Sequence, residues 1–293
     1  MTPRGLDHVV HAVHDLDAAA DLYSRLGFTV GPRNRHPWGT HNRIVQFPGF
    51  FVEILAVAEP ERLTPEGLAG QFGARNKAFL DRGEGLSFLI VESADAQRDA
   101  ERFRAAGIAV SGALTFRREG RRPDGGTVEV GFSLAFARDA RAPDIGFAAC
   151  QQHDPDAFWN PSQQRHANTA IRVAGVVLVA ENPSDHHVFL STLTCERDLK
   201  ATSSGVSLRT PRGEIQVMDR AAFLAHFGGE PPDMGRGARL AALRFAVADL
   251  AAAIAAMQKG EVDGQMRMGR LIVGPTWAKG ATLVFEPAGG HES

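Results

Sequence analysis

The chain is poor in cysteine, lysine and tyrosine, and it has no long apolar run. Its 293 residues include two cysteines, one tyrosine and four lysines among 32 basic residues. Two cysteines, Cys150 and Cys195, are too few for a disulfide framework or a four-sulfur zinc site, so we expect a reducing compartment. No window approaches the roughly 20 apolar residues of a membrane helix, and no signal-peptide pattern is visible. These absences predict a cytoplasmic protein without a membrane partner.

Neither sign of charge dominates the composition. The 32 basic and 34 acidic residues give a formal net charge of -2. Nucleic-acid-binding domains carry a basic excess, so we expect no nucleic-acid partner. The hydrophobic fraction of 44% is enough for a sizeable core and argues against a disordered chain. The length fits two domains or one large one.

A strand, a helix and further strands recur in the same order along the chain. In the first unit a short β-branched run predicts a strand, and a capped amphipathic stretch predicts a helix that ends at Gly27. The elements of this unit are a strand at 6–13, a helix at about 15–26, extended structure at 28–30, a loop at 33–39, and strands at 42–47 and 50–57.

Three further units follow the same order. Their predicted strands lie at 85–91, 114–119, 128–137, 145–150, 173–179, 205–209, 213–218, 240–247, 269–273 and 281–285, with helices at 96–106, 185–193 and 249–257. Insertions between them include a polar helical segment at 61–82, a hairpin tip at 117–126 and a linker at 151–170. We place a first domain at 1–160 and a second at 161–293, each with two units.

Two motifs give the chain a resemblance to a known group of proteins. The first is Leu6-Asp7-His8-Val9-Val10, followed by 15–19, 35–37 and 39–43, and the second runs from Cys150 through Trp159 to 165–168. With the repeat, they resemble the vicinal oxygen chelate superfamily and its glyoxalase-like domain proteins, a group that includes glyoxalase I, extradiol dioxygenases and bleomycin-resistance proteins. The resemblance covers about residues 5–170 well. It implies an α+β fold, with four βαβββ units forming two curled, cup-shaped mixed β-sheets with helices on the outside.

The resemblance implies a divalent metal, Zn, Ni, Mn or Fe, held at the floor of a cup. His8 takes the place of the family's first-strand histidine, and Glu53 takes that of the last-strand glutamate. A glutamate between Val52 and Ile54 is costly to bury unless it is paired or liganded. His8 and Glu53 are therefore our predicted metal ligands and catalytic residues.

The other three units depart from this ligand pattern. Ser87 and 148–150, then Gly175 and Gln216, then Ala242 and Val284 occupy the corresponding places. The usual set of two histidines and two glutamates is therefore incomplete, and the second half is expected to be a structural partner or a lid.

Other side chains must complete a metal site, and further ones are candidates for binding a substrate. We predict His41 and His153 as additional ligands, with Gln151 able to assist. The predicted substrate-binding residues are Arg43, Asn42, His36, Cys150 and Gln151. Arg33, Arg35 and Arg43 cluster in sequence near the candidate pocket. Since guanidinium groups bind carboxylates and phosphates, a small oxygen-rich or anionic metabolite is the expected substrate.

Several functions are compatible with these residues. The first hypothesis is a metal-dependent lyase or isomerase of glyoxalase type, in which Glu53 also serves as base. An extradiol-type dioxygenase needs two histidines and one carboxylate, which His8, His41 and Glu53 could supply. The rival class is a non-catalytic protein that sequesters a drug or metabolite, as bleomycin-resistance proteins do, and a structural scaffold is a third. A small molecule is the expected partner in most of these, and a homodimer stays open.

Overall fold

The computed structural model describes residues 2–63, 67–121 and 126–289. In this part of the chain, sixteen strands form two eight-stranded mixed sheets. No helix among the described residues is long and apolar enough to cross a membrane.

The first sheet contains the strands of the first two units in the order β2-β3-β4-β1-β5-β8-β7-β6. Its strands are β1 (Leu6–Ala12), β2 (Asn34–Arg35), β3 (Thr40–Phe47), β4 (Phe50–Val57), β5 (Gly85–Glu92), β6 (Ala109–Arg121), β7 (Thr127–Arg138) and β8 (Gly146–Gln152). The helices of this half are α1 (Leu16–Arg25), α2 (Gly67–Leu80), α3 (Ala96–Ala105) and α4 (Pro155–Phe158), with a 3-10 turn at Pro60–Arg62.

The second sheet has the matching order β10-β11-β12-β9-β13-β16-β15-β14. Its strands are β9 (Ala170–Val179), β10 (Leu199–Thr202), β11 (Gly205–Arg209), β12 (Glu214–Met218), β13 (Arg239–Val247), β14 (Gln265–Arg267), β15 (Arg270–Val273) and β16 (Thr282–Pro287). Its helices are α5 (His187–Thr194), α6 (Arg220–Phe227) and α7 (Leu250–Lys259), with a 3-10 turn at Pro183–His186. The prediction of four repeated units in two mixed sheets is confirmed.

Aspartate caps explain why helices α1 and α7 begin in the same way. The Asp15 side chain accepts hydrogen bonds from the backbone of the first turn of α1, and Asp249 does the same for α7. Such caps satisfy N–H groups that have no partner within the helix. Gly27, which ends the first helix, has a φ of +85°, a conformation that a side chain would strain.

Some elements differ from the sequence expectation. Residues 28–30 do not form a strand, whereas the expected loop at 33–39 contains the short strand β2. Strands β10 and β14 and helix α6 were not expected. The two strands are short and mostly exposed, so they lack the apolar alternation by which a strand is recognised. The helical expectation for 61–82 is met by the 3-10 turn and α2, while 64–66 and 122–125 lie outside the described residues.

One hydrophobic core joins the helix-covered faces of both sheets. It contains buried residues of α1, α3, α5 and α7, and the ring of Phe28 contacts those of Phe245 and Phe285 at centroid distances of 4.9 and 5.7 Å. The opposite face of each sheet carries a separate apolar cluster. We call these opposite faces the first cup and the second cup. The domain boundary near residue 160 stays a prediction.

Candidate functional site

The first cup contains a narrow cleft lined mainly by aromatic and aliphatic side chains. Its lining residues are His8, His36, Trp38, Asn42, Ile44, Phe51, Glu53, Phe72, Leu114, Phe116, Arg118, Phe132, Leu134, Phe136 and Cys150. The cleft has a cavity volume of about 40 Å³, so it admits only a small ligand in this conformation. The few polar groups in it are therefore the candidates for chemistry.

His8 is held in one orientation by a buried carboxylate. Its Nδ1 lies 2.5 Å from Oδ1 of Asp7, and the Nε2 of Gln152 donates to Asp7 Oδ2 at 2.8 Å. The imidazole also stacks on Phe51, with ring centroids 4.3 Å apart. Because Nδ1 is directed at the Asp7 carboxylate, Nε2 is the ring nitrogen that faces away from it. None of the described residues forms a hydrogen bond with Nε2, so this atom is available to a ligand in the cleft.

Glu53 lies on the same face of the sheet as His8. Strands β1 and β4 pair in parallel, with His8 opposite Phe51 and Val10 opposite Glu53, so the two functional side chains are two residues apart in register. The Nδ2 of Asn42 donates to Glu53 Oε1 at 2.5 Å. Both residues are buried, and the amide therefore stabilises the carboxylate where water is scarce.

His36 completes the polar floor near Glu53. Its Nε2 lies 3.8 Å from Glu53 Oε1, and its Nδ1 lies 2.8 Å from Thr40 Oγ1. Burial, followed by the charges of Arg118, His41 and His8, lowers the pKa of His36 to about 3. The imidazole is therefore neutral at pH 7, the form in which histidine binds a metal.

Two residues that line the cleft, together with Asp7 beside them, offer donor atoms that fit a divalent metal. Asp7, His8 and Cys150 each offer a ligand atom within 4.8 Å of the other two. Burial raises the pKa of the Cys150 thiol well above its usual value, and the charges of Asp7 and Glu53 raise it further. A metal ion would reverse this by favouring the thiolate. Thiolate, imidazole and carboxylate together form a set that zinc accepts.

The structure brings some of the sequence-predicted residues together and separates others. His8, Glu53, Asn42, His36 and Cys150 line the cleft. His41 does not, because it alternates with Asn42 along β3; its Nε2 instead lies 2.8 Å from Glu59 Oε1. His153 is exposed and contacts Ser133 at 2.8 Å, outside the cleft. Gln151 accepts a hydrogen bond from the Ala96 backbone at the start of α3.

The arginines predicted from sequence also lie away from the cleft. Arg33 and Arg43 both bind the exposed carboxylate of Asp17, at 2.5 and 3.2 Å. The arginine in the cleft is Arg118 on β6, which the sequence reasoning missed. The sequence pattern that could have indicated Arg118 is its spacing of two residues from Phe116 and four from Leu114, which places all three side chains on one face of the strand.

Two more polar residues of the site were not predicted. Asp7 was within the first motif, and its place beside a candidate ligand was the available signal. Gln152 follows the predicted pair Cys150 and Gln151, and strand alternation could have indicated its direction. In the second unit, Phe88 rather than Ser87 takes the place of His8, since Phe88 lies opposite Gly146 as His8 lies opposite Phe51.

The sequence matches a known protein family. The model of the glyoxalase-like domain family matches residues 6–194, and the chain belongs to this family. No curated protein matches the chain.

Three solved structures share the fold. A hypothetical protein from Staphylococcus aureus is 14% identical, with a TM-score of 0.67 over 97% of this chain and 99% of the other. A triple mutant of 4-hydroxymandelate synthase from Streptomyces coelicolor is 10% identical, with a TM-score of 0.58 over 100% and 95%. A xylose isomerase-like TIM barrel/4-hydroxyphenylpyruvate dioxygenase fusion protein is 14% identical, with a TM-score of 0.52 over 100% of this chain and 50% of the other. At these identities the likeness shows the fold.

Proposed function

We propose that the protein is a metal-dependent enzyme of glyoxalase type that acts on a small molecule in the cleft of the first cup. The observation that carries the proposal is the Asp7–His8 pair, in which Nδ1 is engaged at 2.5 Å and Nε2 stays available to a ligand. An imidazole fixed in this way is characteristic of metal ligands and of catalytic bases. His8 and Cys150 would hold the metal beside Asp7, and Glu53 lines the same cleft.

The chain's own groups would divide the remaining work. Asp7 fixes the tautomer of His8, and Gln152 in turn fixes Asp7 through its second oxygen. Glu53 is the candidate base, because Asn42 engages one of its oxygens and none of the described residues forms a hydrogen bond with the other. The aromatic walls exclude water and bind the apolar part of a substrate. A bound metal would polarise substrate oxygens as a Lewis acid.

A dioxygenase remains the second enzymatic candidate, with different residues from those expected. His36, rather than His41, would be the second histidine, since it lines the cleft beside Glu53 and is neutral. Two histidines and one carboxylate are typical of non-haem iron sites. The mainly apolar lining favours the non-catalytic rival, a protein that sequesters a small ligand.

Metal content of the purified protein distinguishes the two metal-dependent candidates from the sequestering rival. We expect one divalent metal per chain in the wild type and its loss in His8→Ala, because the variant removes the oriented ligand atom. His153→Ala is the matched control, since this exposed histidine lies outside the cleft, and it should keep its metal. Elemental analysis after loading with Zn, Ni, Mn and Fe is the measurement. A wild type that takes up none of them would contradict the metal-dependent proposal.

A further inference from the structure

Arg118 is a buried cation without an acidic partner at hydrogen-bonding distance. Its side chain lies on the cleft wall and the residue is only 9% exposed. Its Nη1 donates to Asn34 Oδ1 at 3.2 Å and to the Glu119 carbonyl at 3.1 Å. None of the described carboxylates forms an ion pair with it. Glu53 acts on its charge only from a greater distance.

A second donor in the same cleft has no hydrogen-bond partner among the described residues. The indole Nε1 of Trp38 is buried and has no hydrogen-bond acceptor among the described residues. A buried donor left in this state costs free energy, and an unpaired buried charge costs more. Both costs are removed if a bound ligand supplies an acceptor.

Aromatic rings connect these two donors along one wall. Trp38 packs edge to face on Phe116 at 4.9 Å, Phe116 stacks on Phe132 at 5.5 Å, and the guanidinium of Arg118 lies 5.6 Å from the Phe132 centroid. The surroundings of both donors are therefore flat and apolar. Such a wall suits a ligand with a planar apolar body.

We propose that the cleft binds an organic carboxylate with a flat apolar body, whose carboxylate accepts hydrogen bonds from Arg118 while a polar atom at the other end of the ligand reaches Trp38 Nε1. A carboxylate matches the planar fork of a guanidinium better than a neutral group does. This inference rests on the proposed function only in its choice of cleft, because neither donor is a candidate metal ligand.

The test compares benzoate with its neutral analogue benzamide by calorimetric titration of metal-stripped protein. We expect wild type to bind benzoate at least about tenfold more tightly than benzamide, since a charge-assisted hydrogen bond is roughly twice as strong as a neutral one. Arg118→Gln should remove this preference. Trp38→Phe, which keeps a ring and removes the N–H, should leave the preference for benzoate in place, because Arg118 binds the single carboxylate of this probe.

Arg117→Gln is the matched control. Arg117 is the next residue on the same strand, but it is exposed and pairs with Glu129 and Asp154 at 3.1 and 3.4 Å. Arg117→Gln and Arg43→Gln should each leave the affinities for benzoate and benzamide within about twofold of the wild-type values, because both residues lie outside the cleft. Equal affinity of the wild type for the two probes, no binding of benzoate, or equal losses in the Arg117 and Arg118 variants would overturn the inference. If Arg118→Gln does not fold, the wild-type preference for benzoate over benzamide decides.

The outcomes also separate this inference from the proposed function. A protein that takes up no metal but prefers benzoate through Arg118 supports the inference and contradicts the metal-dependent enzyme. A protein that binds metal at His8 but does not distinguish benzoate from benzamide supports the metal-dependent enzyme and contradicts the inference about Arg118.

Discussion

The two sheets have the same strand order, but their cups are filled differently. The first cup keeps a cleft with His8 and Glu53 on its floor. In the second sheet, β9 and β12 pair with Gly175 opposite Glu214 and Val177 opposite Gln216, so Gly175 and Gln216 take the corresponding places. A Cβ at position 175 would lie 2.5 Å from the Glu214 carbonyl. The second sheet therefore has no room there for a ligand side chain.

The helix that follows the fourth strand of a unit makes the main difference between the cups. Helix α2 follows β4 and contributes Phe72 to the wall of the cleft. Helix α6 follows β12, and its residues Phe223 and Phe227 are buried against apolar residues of the second sheet. The same position in the repeat thus supplies a cleft wall in one half and a plug in the other. One scaffold can support a binding site or extra core, depending on how deeply this helix packs.

Removal of the α6 plug should give the largest effect on stability. Phe223 is fully buried, and Phe223→Ala is expected to lower the free energy of unfolding by about 3–5 kcal/mol, the usual cost of such a cavity. Phe72→Ala, at the edge of an existing cleft, should cost about 1–2 kcal/mol because less tightly packed contact is lost. Urea unfolding of both variants measures the difference. Equal losses would contradict the contrast between plug and wall.

The buried arginines of the two cups extend this comparison. Arg244 donates to both oxygens of Glu286, at 3.1 and 2.8 Å, and to Glu214 and Gln216 at 2.8 Å. Arg118 in the first cup has none of these acidic partners. One guanidinium is saturated by the protein, whereas the other is open to a ligand.

Replacement of each arginine by methionine should therefore have unequal effects. Arg244→Met leaves the buried Glu286 uncompensated and is expected to cost about 3 kcal/mol. Arg118→Met removes an unpaired buried cation and should change stability by less than about 1 kcal/mol, or increase it. The measurement is the free energy of unfolding at pH 7 without ligand. A larger loss in the Arg118 variant would show that its role is structural.

Local signals in the sequence predicted the repeat well, because helix caps and apolar runs act within a few residues. The place of His8 and Glu53 was also accessible, since both lie on neighbouring strands of one unit. The sequence did not show which of His41 and Asn42 faces the cleft, because a shift of one residue in register turns a side chain to the other face of the sheet. Arg118 was missed for another reason. Its position in the cleft depends on the pairing of β6 with β7, in a hairpin far along the chain from His8.

Helix α6 illustrates what sequence patterns leave undetermined. It has eight residues, and its phenylalanines could equally belong to a strand. Only the packing of the second cup decides between these alternatives. Short elements are stabilised mainly by tertiary contacts rather than by their own propensity.

The seam between the two halves gives a smaller effect that depends on pH. His166 accepts a hydrogen bond from the Thr29 backbone at 3.1 Å and donates to the Gln46 carbonyl at 3.0 Å, and it packs on Phe28 and Phe47. Burial lowers the pKa of His166 to about 4 from 6.5. The unfolded chain therefore binds a proton at His166 more readily than the folded chain does. The neutral His166 stabilises the folded state fully above pH 6.5, and this stabilisation is lost as the pH falls towards 4.

His166→Gln should remove this pH dependence, since glutamine can still donate a hydrogen bond but does not titrate in this range. Between pH 7 and 5, the wild type should lose on the order of 1–2 kcal/mol more stability than the variant. Urea unfolding at both pH values measures this, with the exposed His153→Gln as control. Because Phe28 also contacts Phe245 and Phe285 of the second sheet, a change at this seam should move a single transition of the whole chain. Separate transitions, with only the first responding to pH, would instead show that the two halves unfold independently.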